Sequence, residues 1–417
     1  MSYAPLIDRE RRTFGTRLTM LSVKPSDRLP VGLILEQLNG MWPESRALVL
    51  TAPLDAQLDD SLLDWQPPPN AVVEIPAIAL RDPAVQGLIQ RAHRGGVKMA
   101  LRGRPDVPLP PALLDCFSYA LIHITEDRRR RSDGSNAPPP PGVMRRMPFI
   151  ITGTFRVDEL HAAHARGAVA SVGVPMDEAH PTMERPPQPS QQTVLELLRL
   201  AHERADIEVI ECAIKRDTAL SFELIRFVNS AAFAVPMQVG SVKRAIMVLG
   251  HAKMTRWLSR MLRVSTFNAD ALPLMHAGAR RGLFLEHLAS CNTGGAVLRD
   301  SLFQTGAFSL LDRMTGTAFP RLLQHAQLDP SVSAALVDRT GPCAPYLSLA
   351  EAIERNDPVM GRKQREMLDI SLLDCNVALL RALSAAQTTH SEHKLGASAQ
   401  RASERLRLLR SPSFAPL

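Results

Sequence analysis

Two histidines three residues apart, His161 and His164, have a spacing that could serve a metal ion. A metal centre that activates water needs several carboxylates or imidazoles converging on the cation. Apart from the adjoining Asp158 and Glu159 no ligand-type residue lies near this pair, and the segment from Glu159 to His164 reads as a solvated helix face. None of the twelve histidines is followed by an aspartate. Gly294-Gly295 has neither a strand before it nor a Lys-Ser/Thr after it, and it reads as a helix terminus instead of a phosphate loop. The five cysteines, Cys116, Cys212, Cys291, Cys343 and Cys375, are widely spaced with no CxxC. That spacing suits reduced thiols and leaves no zinc cluster of standard form. No metal, cofactor or disulfide is expected.

The stretch from Asp217 to Leu262 carries the strongest local pattern. Leu220, Leu224, Ile225 and Val228 recur at helical spacing, with Ser221 as a possible cap. The helix runs into Asn229-Ser230-Ala231. Beyond a break at Pro236, Ser241 can cap a second helix with Ala245, Ile246 and Leu249 on one face, and Gly250 supplies a left-handed end. Met254, Trp257, Leu258 and Met261 form the stripe of a third.

This block resembles the core of an HDOD domain, a helical signalling domain related to the HD phosphohydrolases. The family pattern, D..LS..LLR.VNSA.F followed by S...AI..LG, is met in register from Asp217 through Phe233 and from Ser241 through Gly250. The resemblance implies an all-helical unit without the His-Asp pair that its catalytic relatives use. Arg226, Asn229, Ser230 and Phe233 are the candidate interaction or structural motif. For Asn229 and Ser230 two readings stand: a polar helix terminus that satisfies backbone groups, or direct contact with a ligand. The run Gly306 to Asp312 resembles a segment found further along in proteins that join this domain to an EAL barrel. Its plain reading is a buried helix with Asp312 exposed.

At 417 residues, 45% hydrophobic and 22% charged, the chain has material for about two domains. No apolar run approaches the roughly 20 residues that span a bilayer, and there is no apolar leader, so a cytoplasmic protein without membrane insertion is expected. The net charge of +7 permits attraction to nucleic acid. However, the excess sits in clusters such as Arg128 to Arg131 and Lys394 to Arg410, and aromatics are only 5%. Stacking platforms are thin, so nucleic-acid binding is not expected as the main role.

Two Pro-rich stretches punctuate the chain. Ser132 to Gly142 reads as an exposed loop, and Pro181 to Pro189 as a linker. Before the linker, β-type runs (Ala47 to Thr51, Ala71 to Ile75, Val97 to Leu101, Ala120 to Ile124, Phe149 to Thr152, Ala168 to Val172) alternate with helical segments, implying βα units and a parallel sheet. After it, amphipathic helices follow one another. The Ser-, Ala- and Arg-rich end reads as disordered.

An α/β barrel upstream of an HDOD domain resembles the EAL-HDOD two-domain bacterial signalling family, whose active EAL barrels hydrolyse cyclic di-GMP with metals at the strand C-termini. Ala4 to Asp8 with Phe14 to Thr19 resembles the EAL opening, where Arg17 replaces the metal-binding glutamate. Val72 to Ile75 resembles an acidic-ligand strand and keeps Glu74. Val97 to Leu101 resembles the strand ending in paired aspartates, but Arg102 and Gly103 follow it. Ala120 to Ile124 places His123 at the catalytic lysine. Ile151 to Phe155, with Thr152, resembles the EGVE strand without its glutamates, and Gly167 with Val172-Gly173 resembles the closing pattern. Leu21 replaces an arginine used near the phosphate, which puts cyclic di-GMP binding in doubt. Arginine at two ligand positions opposes metal binding, because like charges about 4 Å apart repel by roughly 4 kcal/mol at an effective dielectric of about 20. Glu74 is then expected at the surface or in a salt bridge.

The resemblance implies a degenerate TIM-type, EAL-like α/β barrel at residues 1–180, a linker at 181–189, an all-helical HDOD domain at 190–385 and a tail at 386–417. It further implies a non-enzymatic regulatory protein whose partners are other signalling proteins. The rivals are a cyclic di-GMP phosphodiesterase or cyclic di-GMP-binding effector, and a nucleic-acid-binding regulator.

Overall fold

The computed structural model describes residues 1–21, 30–40, 42, 47–54, 56–127, 147–154, 156–174, 188–230, 233, 238–265, 272–291, 295–324 and 328–387. The Arg128 to Arg131 cluster, the Ser132 to Gly142 loop, most of the Pro181 to Pro189 segment and the tail lie outside these residues.

Eight strands close into a barrel: β1 (Ser2–Asp8), β2 (Thr13–Met20), β3 (Leu48–Pro53), β4 (Ala71–Pro76), β5 (Met99–Arg102), β6 (Phe117–His123), β7 (Phe149–Thr152) and β8 (Ala170–Val172). From β2 to β8 each strand runs parallel to the next, as the alternation of runs predicts. β1 departs from that expectation, being antiparallel to both β2 and β8. The reason is the short Asp8 to Thr13 connection. It is a tight turn with Arg11 at φ 65°, and it has no room for the crossover that a parallel neighbour requires.

One buried side chain from each of seven strands fills the barrel: Leu6, Leu50, Val72, Ala100, Leu121, Ile150 and Ala170. Since side chains alternate across a strand, residues two further along β4 to β7 point the same way, toward the axis at the C-terminal end. Glu74, Arg102, His123 and Thr152 occupy those places.

From Gln191–His202 to Leu372–Gln387 the described chain is helical. Asp217 caps the Thr218–Val228 helix, its Oδ1 accepting from the Leu220 backbone N–H at 2.9 Å. The expected cap, Ser221, is instead buried within that helix and donates its hydroxyl to the Ile214 carbonyl at 2.9 Å. Asp217 wins because it stands in extended conformation just before the first turn, where a carboxylate can reach free N–H groups. Ser241 does cap the Val242–Val264 run, and Gly250 (φ 65°, ψ 165°) breaks it.

The Leu272–Cys291 and Ala296–Phe308 helices cross at small residues. A Cβ at Gly282 would fall 2.8 Å from the Phe303 carbonyl oxygen, and one at Gly306 only 2.6 Å from that of Arg281. Close approach brings Arg281 Nη1 to 2.6 Å from Ser309 Oγ. Asp312, expected to be exposed, is half-buried in the short Leu311–Thr315 helix, and burial pushes its carboxyl upward.

The outer face of β1 meets this helical part. Tyr3 donates its hydroxyl to Glu354 Oε1 at 2.9 Å, and Ser2 Oγ donates to Asn356 Oδ1 at 2.6 Å. Arg281 grips the same Glu354 through Nε at 3.1 Å and Nη2 at 2.5 Å. Val174 packs with Leu274, Ala277 and Leu310. No helix among the described residues is long and apolar enough to cross a membrane.

Candidate functional site

At the C-terminal end of the barrel, Arg17 reaches across from β2 to Glu74. Its Nε donates to Oε1 at 2.5 Å and its Nη2 to Oε2 at 2.8 Å, a two-pronged charge-assisted pair. Arg102, the last residue of β5, places its Nε 3.6 Å from the same Oε2. The Glu74 side chain is 1% exposed and that of Arg17 19%. Burial by itself would lower the Arg17 guanidinium's basicity, but the hydrogen bonds and charge of Glu74 outweigh it and hold Arg17 above its ordinary value. Of the two expectations for Glu74, surface or salt bridge, the structure has the second.

Gly103 turns away at φ 80° while its N–H donates to the Leu121 carbonyl at 2.8 Å. His123 and Thr152 are register partners on β6 and β7. His123 Nδ1 lies 2.7 Å from Thr125 Oγ1, and its ring covers Gly153, where a Cβ would come within 2.2 Å of Nε2. Gly153 also has φ 78°, so both backbone and space favour glycine there. The arrangement offers one carboxylate, fully engaged, facing two guanidiniums. It can hold an ion pair shut; it does not present free carboxylates to a cation.

The second candidate region follows the Thr218–Val228 helix. Asn229 Nδ2 donates to the Val239 carbonyl at 3.0 Å, and the Val239 N–H donates to Asn229 Oδ1 at 2.8 Å. One amide thereby bridges Asn229 and Val239 by mimicking a backbone pair. Ser230 Oγ donates to the Phe227 carbonyl at 2.7 Å. Phe233 stands edge-on to Phe227 with centroids 5.0 Å apart, Lys253 Nζ sits 5.2 Å from the Phe233 ring centre, and Phe227 stacks on Trp257. Arg226 Nη2 donates to Glu223 Oε2 at 2.6 Å, with the arginine side chain 42% exposed and the glutamate 9%.

Other polar contacts went unassigned in the sequence. Asp217 Oδ2 accepts from the Ser190 N–H at 2.7 Å, tying the start of the helical part to its core. Burial pushes this carboxyl up to about 6, against the backbone N–H groups of Leu220, Ser190 and Ala219. An Asp just before an apolar helical stripe was the available signal for a cap. Lys215 is buried between Glu211 (2.8 Å) and Glu286 (2.6 Å), over the Phe303 ring. Glu211 stands one turn before Lys215 on the same helix, whereas the approach of Glu286 from another helix leaves no mark in the sequence.

His161 is exposed, but His164 is not on a solvated face as expected. It is buried with Nδ1 3.1 Å from the Ala168 carbonyl oxygen, and burial lowers its basicity. The turn after the Val157–Ala165 helix folds back over it. Among the described residues no group of three or more His, Cys, Asp or Glu could hold a metal ion. Cys116, Cys212, Cys343 and Cys375 are free thiols.

The HDOD domain family model matches residues 186–287, the region that holds the Asn229 connector. Cyclic di-GMP phosphodiesterase CdgJ of Vibrio cholerae is 28% identical over 212 residues, 50% of this chain and 48% of that protein. The uncharacterised protein YuxH of Bacillus subtilis is 28% identical over 169 residues, 39% of this chain and 40% of YuxH. The matches thus span half or less of these relatives' lengths. Among solved structures, the MmoQ response regulator of Methylococcus capsulatus aligns with 46% of this chain and 97% of its own, at 20% identity and a TM-score of 0.38. With the Asp217 cap, the Asn229 connector and the Gly250 break all falling inside the matched span, residues 186–287 are an HDOD domain, carried behind a closed eight-stranded barrel.

Proposed function

We propose that this chain is a non-catalytic signalling regulator: a degenerate EAL-like barrel joined to an HDOD domain that works through contacts with other signalling proteins. The observation that carries the reading is the closed Arg17–Glu74 pair with Arg102 beside it. Two-metal phosphodiester hydrolysis needs several carboxylates around two cations, and here the single carboxylate at the aligned positions is already neutralised by guanidiniums. The HDOD region adds no His-Asp pair. Its connector offers instead a partly exposed Arg226 and a cation–aromatic group at Phe233, a combination suited to a protein partner.

Purified protein with Mg²⁺ or Mn²⁺ and cyclic di-GMP is expected to give no turnover above a no-protein control. Turnover that Glu74→Ala abolishes would overturn the reading. The second reading, a cyclic di-GMP phosphodiesterase or effector, is favoured by the name of the CdgJ relative. Calorimetric titration with cyclic di-GMP separates the two, since a purely protein-binding regulator gives no saturable heat.

A further inference from the structure

Three buried cations among the described residues come with carboxylates. Lys215 has Glu211 and Glu286, Arg166 has Asp127 at 2.7 Å, and Arg281 has Glu354. Arg280, next to Arg281 on the Leu272–Cys291 helix, is 4% exposed and breaks the pattern. Its Nη1 is buried with no acceptor of the described chain in hydrogen-bond range.

Its surroundings are the junction between β1 and the helical domain. Tyr3 and Glu354 are the groups whose charge it feels. Glu354 is spent: Arg281 takes both of its oxygens, and Tyr3 donates to one of them. Tyr3 supplies no negative charge of its own, because burial and the neighbouring Glu354 raise its phenol well above the ordinary value. Glu351 is shared by Arg281 at 3.6 Å and Arg339 at 2.9 Å. Both carboxylates are thus engaged by other guanidiniums, and no described carboxylate lies within ion-pair distance of Arg280. A guanidinium does not shed its proton in a protein, and a buried charge without a counter-charge is costly.

We propose that the junction between the barrel and the HDOD domain binds one small monovalent anion against Arg280, and that this anion fastens the two parts together. The class is a halide or the oxygens of a small oxyanion, for which guanidinium N–H groups are the matching donors. Anion binding to the folded chain alone raises its stability by mass action.

The test uses the full chain, melted in a bulky sulfonate buffer titrated with chloride, phosphate or acetate at constant ionic strength. The expected result is a saturable rise of several degrees in melting temperature with at least one of these anions, and a flat response from Arg280→Met. In the anion-free buffer Arg280→Met should melt no lower than the parent, whereas Arg281→Met should melt well below it by stranding Glu354. A flat response from the parent chain, or the same rise in Arg280→Met, overturns the proposal. Should Arg280→Met fail to fold, chloride NMR decides: saturable line broadening by the parent that Arg280→Gln loses supports the site. Absence of broadening together with a flat melting response in phosphate and acetate means that water alone solvates Arg280, and sinks it.

Discussion

The barrel end and the Asn229 connector are both closed by a side chain that makes two polar contacts at once, yet they differ in the reach of those contacts. Arg17 and Glu74 lie 57 residues apart, and they meet only because eight strands close with one register. Asn229 and Val239 are ten residues apart, on either side of the connector between two helices that follow one another in the chain. The first contact depends on the whole barrel; the second depends on a local segment. The lesson concerns consequence as well as origin. Removing a partner at the barrel end strands charge in a closed interior, whereas removing the amide at the connector leaves neutral backbone groups unpaired.

The largest effect should come from Glu74→Ala, which leaves Arg17 and Arg102 facing each other without a counter-charge. Breaking a buried pair in this way costs about 3–5 kcal/mol, to be read from urea denaturation. A loss below about 0.5 kcal/mol, the range of surface changes, would mean that the barrel end does not rest on the pair.

Next in size is a pH effect at the base of the connector helix. Asp217 is held near 6 in the folded protein, above the roughly 3.9 of an unfolded aspartate. A raised folded value means that its contribution is fully present below about pH 4 and is lost as pH rises through about 6, a change of about 3 kcal/mol. Stability measured from about pH 4.5 to about pH 7.5 should therefore fall less in Asp217→Asn than in the parent. Equal slopes would show that Asp217 is not the titrating group.

Asn229→Ala should cost about 1–3 kcal/mol, since it removes both partners of the Val239 backbone. If stability is unchanged while partner capture is lost, Asn229 is a contact residue and the connector does not need its clamp. The smallest change is expected for Arg226→Ala, about 0.5–1 kcal/mol, because the arginine is partly exposed and its partner Glu223 is buried. Its larger effect should appear as weaker partner binding in a pull-down.

The helical region was the more legible of the two. The stripes at Leu220 to Val228 and Met254 to Met261, the Ser241 cap and the Gly250 break are all consequences of spacing within a few turns, and periodicity reports such spacing directly. That reading failed at Ser221, where Asp217, four residues earlier and in extended conformation, is the cap, and at Asp312, which is half-buried. In the barrel, the strands after the second could be read as β-type runs. The antiparallel start of β1 was not, because a four-residue turn is a statement about connection length and not about propensity.

What the sequence by itself determined is therefore the order of the parts, strands and then helices, and the local closures that short spacing dictates. Tertiary structure alone decided which distant charges meet. Glu74 became the anchor of two arginines only when β2, β4 and β5 closed around one axis. Lys215, already beside Glu211 on its own helix, gained Glu286 only when the Ile207–Lys215 and Leu272–Cys291 helices packed. Tyr3, Arg281 and Glu354 met only when the outer face of β1 docked on the helical domain. The physical reason is common to all three: a side chain's charge acts through space over a few ångströms, and proximity across tens or hundreds of residues is a product of packing, which no local pattern of residues encodes.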